Sequence, residues 1–228
     1  MKQIVFNSID SSELEHIIGK VASVKHTYNN YYGIDLNDVE YYKIEDDLFL
    51  RKKFDGYSRI YLMANDEDNI IDVLKKLPSN YVINIPSKKD ITDWLPMLKE
   101  SGYKNIAVYH RYVYTNFKKG NDKYLEFAQL SDIECLQKHL HFFFSPLTGH
   151  LPNDKELSVL INNQSIVVNR DENGEVSGAL CYKLSGRRAE LPFWFDKDGN
   201  GLSLLYNVFS LCHKKDVRSI QFWVNDVN

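Results

Sequence analysis

From Ala189 to Leu205 the chain reads AELPFWFDKDGNGLSLL, an apolar strand, a turn holding Gly199 and Gly201, then the start of a helix. That layout suits a phosphate. The first N–H groups of a helix lack intrahelical partners and point outward, and glycine lets anion oxygens approach the backbone without a Cβ in the way. A plain turn into a helix shares this local pattern. Pro192 adds to it, because proline cannot donate to a sheet ladder and so marks an edge, a bulge or a place where neighbours diverge. Glu190, near the strand start, reads as a surface carboxylate beside Arg187 and Arg188. Other chemistry-bearing residues form no set. His139 and His141, two apart on a helix, face different ways. With His150 they either line a pocket or are partly buried structural residues. No Cys, His and carboxylate grouping has metal-ligand spacing, so no metal is expected.

The elements that must hold this unit follow from periodicity. Tyr124–Ala128 reads as a strand, Ser131 as the cap of a helix DIECLQKHLHFFF, and Asn153–Ile161 as a second helix. Ser165–Asn169 and Glu175–Lys183 are strands joined by a turn at Asp171–Gly174. Ala189–Phe195, a helix at 202–214 and Val217–Val224 complete the order β-α-α-β-β-β-α-β. A strand–turn–helix–strand crossover implies a parallel pair, so the fold class is α/β (α+β), a mixed, mostly antiparallel sheet flanked by helices. Upstream, Ser11 or Ser12 caps a helix to Val24. Asp55-Gly56 joins two strands, 47–54 and 57–63, as a hairpin. Asn65 caps a helix ended by Pro78, Tyr81–Ile85 is a short strand, a helix spans 91–101, and 104–115 is a long strand. Tyr28, Tyr31, Tyr32, Tyr41 and Tyr42 read as an aromatic loop over a core. The polar stretch Lys118–Asp122 divides the chain into domains 1–120 and 121–228.

The bulk figures exclude several classes. A net charge of −3 and a pI near 6.2 provide no field for nucleic acid or an anionic membrane, so the expected partner is a small molecule. Cys135, Cys181 and Cys212 form no CxxC unit, which suits reduced thiols in the cytoplasm. The N-terminus lacks the apolar stretch of a signal peptide, and no run is long enough to span a membrane. Assembly as a homodimer is compatible with this composition.

Residues 122–228 resemble the GNAT acyl-CoA N-acyltransferase superfamily in the order of their elements. Glu172-Asn173-Gly174-Glu175-Val176-Ser177-Gly178 looks like the hairpin between that family's second and third strands, and Val217–Asn228 looks like its fifth strand. The resemblance implies acetyl-CoA, or another acyl-CoA, as co-substrate and a small amine as acceptor. It implies a pantetheine arm lying between parted fourth and fifth strands, and a diphosphate on the glycine turn. The implied coenzyme-binding residues are Phe193, Trp194, Phe195, Asp198, Gly199, Asn200, Gly201, Leu202, Ser203 and Asn228, with Glu190 as base and a backbone N–H near Phe193 or Trp194 facing the thioester oxygen. Two departures stand out. Asp196 or Asp198, depending on register, replaces the family's Arg or Gln in the turn, where Lys197, Lys214 or Lys215 would have to compensate. The family's later elements have no counterpart after the fifth strand, so either the given chain stops short of them or another part of the molecule completes the sheet. Residues 81–115 look like part of a second, degenerate repeat. Two other readings remain open, a non-catalytic GNAT-fold ligand-binding or interaction protein, and a Fem-type aminoacyl transferase, which the absence of a basic patch disfavours.

Overall fold

The computed structural model describes residues 4–77, 80–86, 91–117 and 125–226. The chain divides into two compact units, Met1–Asn105 and Ile106–Asn228. The break therefore lies before the polar stretch at 118–122, which is outside the described residues.

The N-terminal unit contains β1 (Asn7–Ser8), α1 (Ser11–Ala22), β2 (Tyr28–Asn29), β3 (Val39–Ile44), β4 (Asp47–Phe54), β5 (Tyr57–Ala64), α2 (Glu67–Lys76), β6 (Tyr81–Val82) and α3 (Trp94–Glu100). Its sheet has the order β1-β3-β4-β5-β2, and β6 joins β5 in parallel. Alternation along β4 and β5 builds two cores. Phe49, Ile60, Leu62 and Ala64 pack on Ile70, Val73 and Leu74 of α2 and on Trp94 and Met97 of α3. Leu48, Leu50, Tyr61 and Met63 pack on Leu14, Ile18 and Val21 of α1. The caps differ from the expected residues. Asp10, not Ser11 or Ser12, accepts the first N–H groups of α1. Asp66 caps α2, while Asn65 accepts Thr27 N–H at 2.8 Å. Each substitute cap is an acid one place from the hydroxyl or amide expected, and carboxylates favour this position equally. Tyr41 and Tyr42 lie in a strand, β3, rather than a loop, held by cross-strand pairs with Leu50 and Phe49.

The C-terminal unit contains β7 (Tyr109–Tyr114), a 3₁₀ turn (Leu130–Asp132), α4 (Ile133–Phe143), α5 (Asp154–Asn162), β8 (Ile166–Arg170), β9 (Val176–Cys181), β10 (Lys183–Ser185), β11 (Arg188–Leu191), β12 (Trp194–Asp196), α6 (Gly201–Lys214) and β13 (Ser219–Asn225). Two sheets result, with orders β10-β11-β13-β7 and β12-β9-β8. Ahead of the 3₁₀ turn only an isolated bridge, Phe127 to Val167, stands for the expected first strand, and Tyr124 lies outside the described residues. At the start of the 3₁₀ turn that leads into α4, Gln129 N–H donates to Asp132 Oδ2 at 2.7 Å, and Ser131 caps neither helix.

The strand expected over Ala189–Phe195 is two strands in different sheets. Ala189 and Leu191 bury against Leu204 and Val208 of α6. Phe193 and Phe195 bury instead among Leu136, Leu140 and Leu157 of α4 and α5. Residues two apart on one strand share a face, so the chain must gain a residue between Leu191 and Phe193. Pro192, which has no N–H to offer a ladder, sits at that irregularity. The mixed α/β class holds, with antiparallel sheets and flanking helices.

Candidate functional site

The irregularity at Pro192 opens a gap. β11 runs parallel with β13 from Arg188↔Ser219 to Leu191↔Phe222 and no further. Beyond it β12 pairs with β9, whereas β13 continues to Asn225 paired with β7. Cys181 N–H donates to Phe193 O and Lys197 N–H to Ser177 O, both at 2.9 Å. In an antiparallel ladder such groups alternate, so the N–H and C=O of Trp194 and Asp196 point the other way, into the gap. On the far wall Asp226 N–H donates to Val108 O at 3.0 Å, which by the same alternation turns Trp223 and Asn225 toward the gap. Two strips of sheet backbone thus face each other without being paired. The strand at 109–114, expected to belong with the first half, completes the sheet beyond β13.

The turn at the mouth of this gap is organised by Asp196. Its Oδ1 accepts Asp198 N–H at 2.9 Å and Asn200 N–H at 2.8 Å. Its Oδ2 accepts from Asn169 Nδ2 at 3.3 Å, and the same amide donates to Ser203 Oγ at 3.0 Å. Ser203 N–H folds back to Asn200 O at 2.9 Å. The N–H groups of Gly199, Gly201 and Leu202 make no hydrogen bond among the described residues, as the start of α6 leads one to expect. Gly199 holds φ at +76°, a conformation that favours glycine. Gly201 is required by proximity instead. A Cβ there would stand 3.0 Å from Trp194 Nε1 and 3.2 Å from Asp196 Cβ. Gly178 makes room on the other side, since a Cβ on it would lie 2.5 Å from Asp196 Oδ2.

The expected site residues divide accordingly. Trp194, Gly199, Asn200, Gly201, Leu202 and Ser203 gather at the gap and its turn. Asp198 belongs to the turn, but its N–H is spent on Asp196. Phe193 and Phe195 do not reach the gap: their backbone faces β9 and their rings are buried on the other side, Phe195 stacking 5.3 Å from Phe143. Asn228 lies outside the described residues. Glu190 stands on an exposed sheet face, opposite Lys183 on β10 and Gln221 on β13. Among the described residues it makes no ion pair, and Arg187 pairs instead with Asp216 at 2.7 Å.

Asn169 and Asp196 went unforeseen as a pair. An Asp two places before an Asp-Gly step is a signal for a side-chain-capped turn, and it was available in the sequence. Of the other candidates, two histidines have structural partners. His139 bonds Val176 O at 3.0 Å and leans on Phe195, and His150 pairs with Glu156 at 2.9 Å. Burial pushes the Cys181 thiol up to about 12 and the Cys212 thiol to about 11, which leaves neither as a nucleophile near neutral pH. A concavity of about 350 Å³ in the N-terminal unit, lined by Lys20, His26, Lys43 and Asp46 among others, carries mixed charge and no glycine turn. No helix among the described residues is long and apolar enough to cross a membrane.

No family model matches the chain, and no curated protein matches it either. Solved structures do. A GCN5-related N-acetyltransferase from Sphaerobacter thermophilus aligns with a TM-score of 0.57 at 13% identity, over 86% of this chain and 74% of that one. A GNAT-family acetyltransferase from Colwellia psychrerythraea aligns at 0.49 and 11% identity, over 100% of this chain and 91% of that one. A second GCN5-related N-acetyltransferase, from Kribbella flavida, aligns at 0.47 and 8% identity, over 99% of this chain and 66% of its own. Parted parallel strands, a glycine turn and a crossover helix thus occur in a chain whose fold is similar to that of the Sphaerobacter thermophilus protein.

Proposed function

We propose that the C-terminal unit binds an acyl-CoA, acetyl-CoA in the first instance, and transfers its acyl group to a small amine. The observation that carries this is the parting of β12 from β13 beside the bare N–H groups of Gly199, Gly201 and Leu202. A pantetheine arm has amide N–H and C=O groups that complete an open strand edge. A diphosphate meets the unpaired donors of a helix start. In the reaction, the neutral amine attacks the thioester carbon and a C–N bond forms. The carbonyl oxygen takes the negative charge, facing Trp194 N–H. The carbonyl re-forms as the C–S bond breaks, and the thiolate leaves and takes a proton from water. Glu190 accepts the amine's proton, directly or through water. If so, Glu190→Gln removes the acidic limb of the pH–rate profile; an unchanged profile eliminates that role.

Asp196 works against the coenzyme. Its carboxylate is fixed where it repels a diphosphate, and one charge at such range is worth about 1 kcal/mol in a solvated site. Asp196→Asn retains an acceptor oxygen for the two turn amides and loses the charge. Titration calorimetry of that variant is expected to show CoA affinity raised by roughly three- to tenfold; weaker binding would mean that the carboxylate's support of the turn outweighs its repulsion.

The same carboxylate favours a second reading, a GNAT-fold protein that binds a ligand without catalysis. Thermal unfolding separates the two. A ligand that binds only the native state raises the melting temperature, by about 2.7 kcal/mol of added stability at a hundred times Kd. The acyltransferase reading expects a rise of several degrees with CoA and acetyl-CoA, and CoA release when an amine is supplied. No rise at saturating ligand removes it.

A further inference from the structure

The N-terminal unit contains a second crossover of the same kind. β5 and β6 run parallel, joined through α2, and pair only at Ser58↔Tyr81 and Arg59↔Val82 before they separate. That gap is not open. The segment Thr27–Asn30 lies in it. Thr27 N–H donates to Asn65 Oδ1 at 2.8 Å. Tyr28 and Asn29 pair antiparallel with Ala64 and Met63. Asn30, with no exposed surface, answers the free edge of β5 group by group. Its N–H donates to Leu62 O at 3.1 Å. Its Oδ1 accepts Leu62 N–H at 2.6 Å, and its Nδ2 donates to Ile60 O at 3.1 Å. The same Nδ2 reaches across the gap to Asn84 O at 2.9 Å. A short peptide of the chain itself makes the backbone bonds that an inserted ligand would make. The turn end is closed by charge as well. Asp66, Glu67 and Asp68 open α2, Asp66 caps it through Asn69 N–H, and Asp47 accepts from Asn65 N–H and from the Asn69 side chain. An anion brought there would meet carboxylates instead of bare amides.

We infer, given the coenzyme site proposed for the C-terminal unit, that the chain binds a single CoA and that Thr27–Asn30 permanently occupies the equivalent gap of the N-terminal unit. Removing a buried amide with this many partners leaves several backbone groups unsatisfied, so the strap is part of the core and not a displaceable lid. The test uses the full chain. Calorimetric titration with CoA is expected to give one equivalent for the wild type and none for Gly201→Phe. Two equivalents, or one remaining in that variant, overturns the inference. Amide hydrogen exchange reads the strap without relying on the coenzyme. Asn30 and Leu62 N–H are expected to exchange as slowly as the amides of Leu50 and Ile60, with or without CoA. Exchange as fast as an exposed loop overturns the inference even if the stoichiometry is one. A wild type that binds no CoA, with Asn30 still protected, refutes the coenzyme reading and leaves the closed gap standing.

Discussion

Gly201→Phe abolishes CoA binding while the unit stays folded. A side chain at this position meets Trp194 Nε1 and Asp196 Cβ within 3.2 Å, so it pushes both walls of the turn and covers the N–H groups of Gly201 and Leu202. Each charge-assisted hydrogen bond lost to a phosphate oxygen costs about 1.5–3 kcal/mol. Losing two corresponds to a fall in affinity of roughly a hundredfold or more. Gly201→Ala is the graded control, since a lone Cβ needs only a few tenths of an ångström of adjustment; it is expected to lose about tenfold. Calorimetry measures both, with far-UV circular dichroism confirming the fold. Wild-type affinity in the phenylalanine variant would place the coenzyme elsewhere.

The second large effect is on stability. Arg170, at the end of β8, donates to both Asp132 oxygens, at 3.0 and 2.9 Å, and also to Glu126 and to Gly174 O. Asp132 in turn accepts Gln129 N–H at 2.7 Å, so this cluster ties the start of α4 to the β8–β9 hairpin. The Asp132 side chain is 10% exposed and that of Arg170 20%. Burial alone would raise the Asp132 carboxyl, but the Arg170 and Gln129 hydrogen bonds and the guanidinium charge outweigh it and hold it below the usual carboxylate range. Arg170→Ala strands a mostly buried carboxylate and is expected to cost about 3 kcal/mol, on the order of 10 °C in Tm. Arg170→Lys recovers only part, because an ammonium cannot reproduce the two-pronged contact. A depressed folded-state pKa means that this stabilisation is present above the unfolded value, about 3.9, and disappears as pH falls through the lower folded one. The difference between wild type and Arg170→Ala, measured by denaturant titration, should therefore be full at pH 7 and shrink below about pH 4. A difference independent of acid would show that the ion pair is not its source.

Local features were legible in the sequence. The Asp55-Gly56 hairpin, the helices α1, α2 and α6 and the glycine turn leading into α6 each announce themselves within a few residues. What the sequence hid is non-local. Nothing in YHRYVY tells β7 that its partner is β13, more than a hundred positions away, because pairing leaves no mark on a strand exposed on both faces. The face change at Pro192 was offered by proline only as one of three options, and contact with α4 and α6 decided it. The sequence marks Asp196 or Asp198, depending on register, as an acid where a base would face a diphosphate; the second role of Asp196, as the acceptor that shapes the turn, needs the fold of the loop. The strap at Thr27–Asn30 likewise had no signature, since Asn30 differs from any loop asparagine only in what surrounds it.

Amide hydrogen exchange across β12, with and without saturating acetyl-CoA, tests the central claim directly. Trp194 and Asp196 N–H, which face the gap, are expected to slow by at least tenfold when the thioester carbonyl meets the first and the arm pairs with the second, a gain of about 1.4 kcal/mol in protection, while the β9 amides of Ala179 and Leu180 stay as they were. Unchanged exchange at Trp194 and Asp196 in protein demonstrably bound to acetyl-CoA would contradict it.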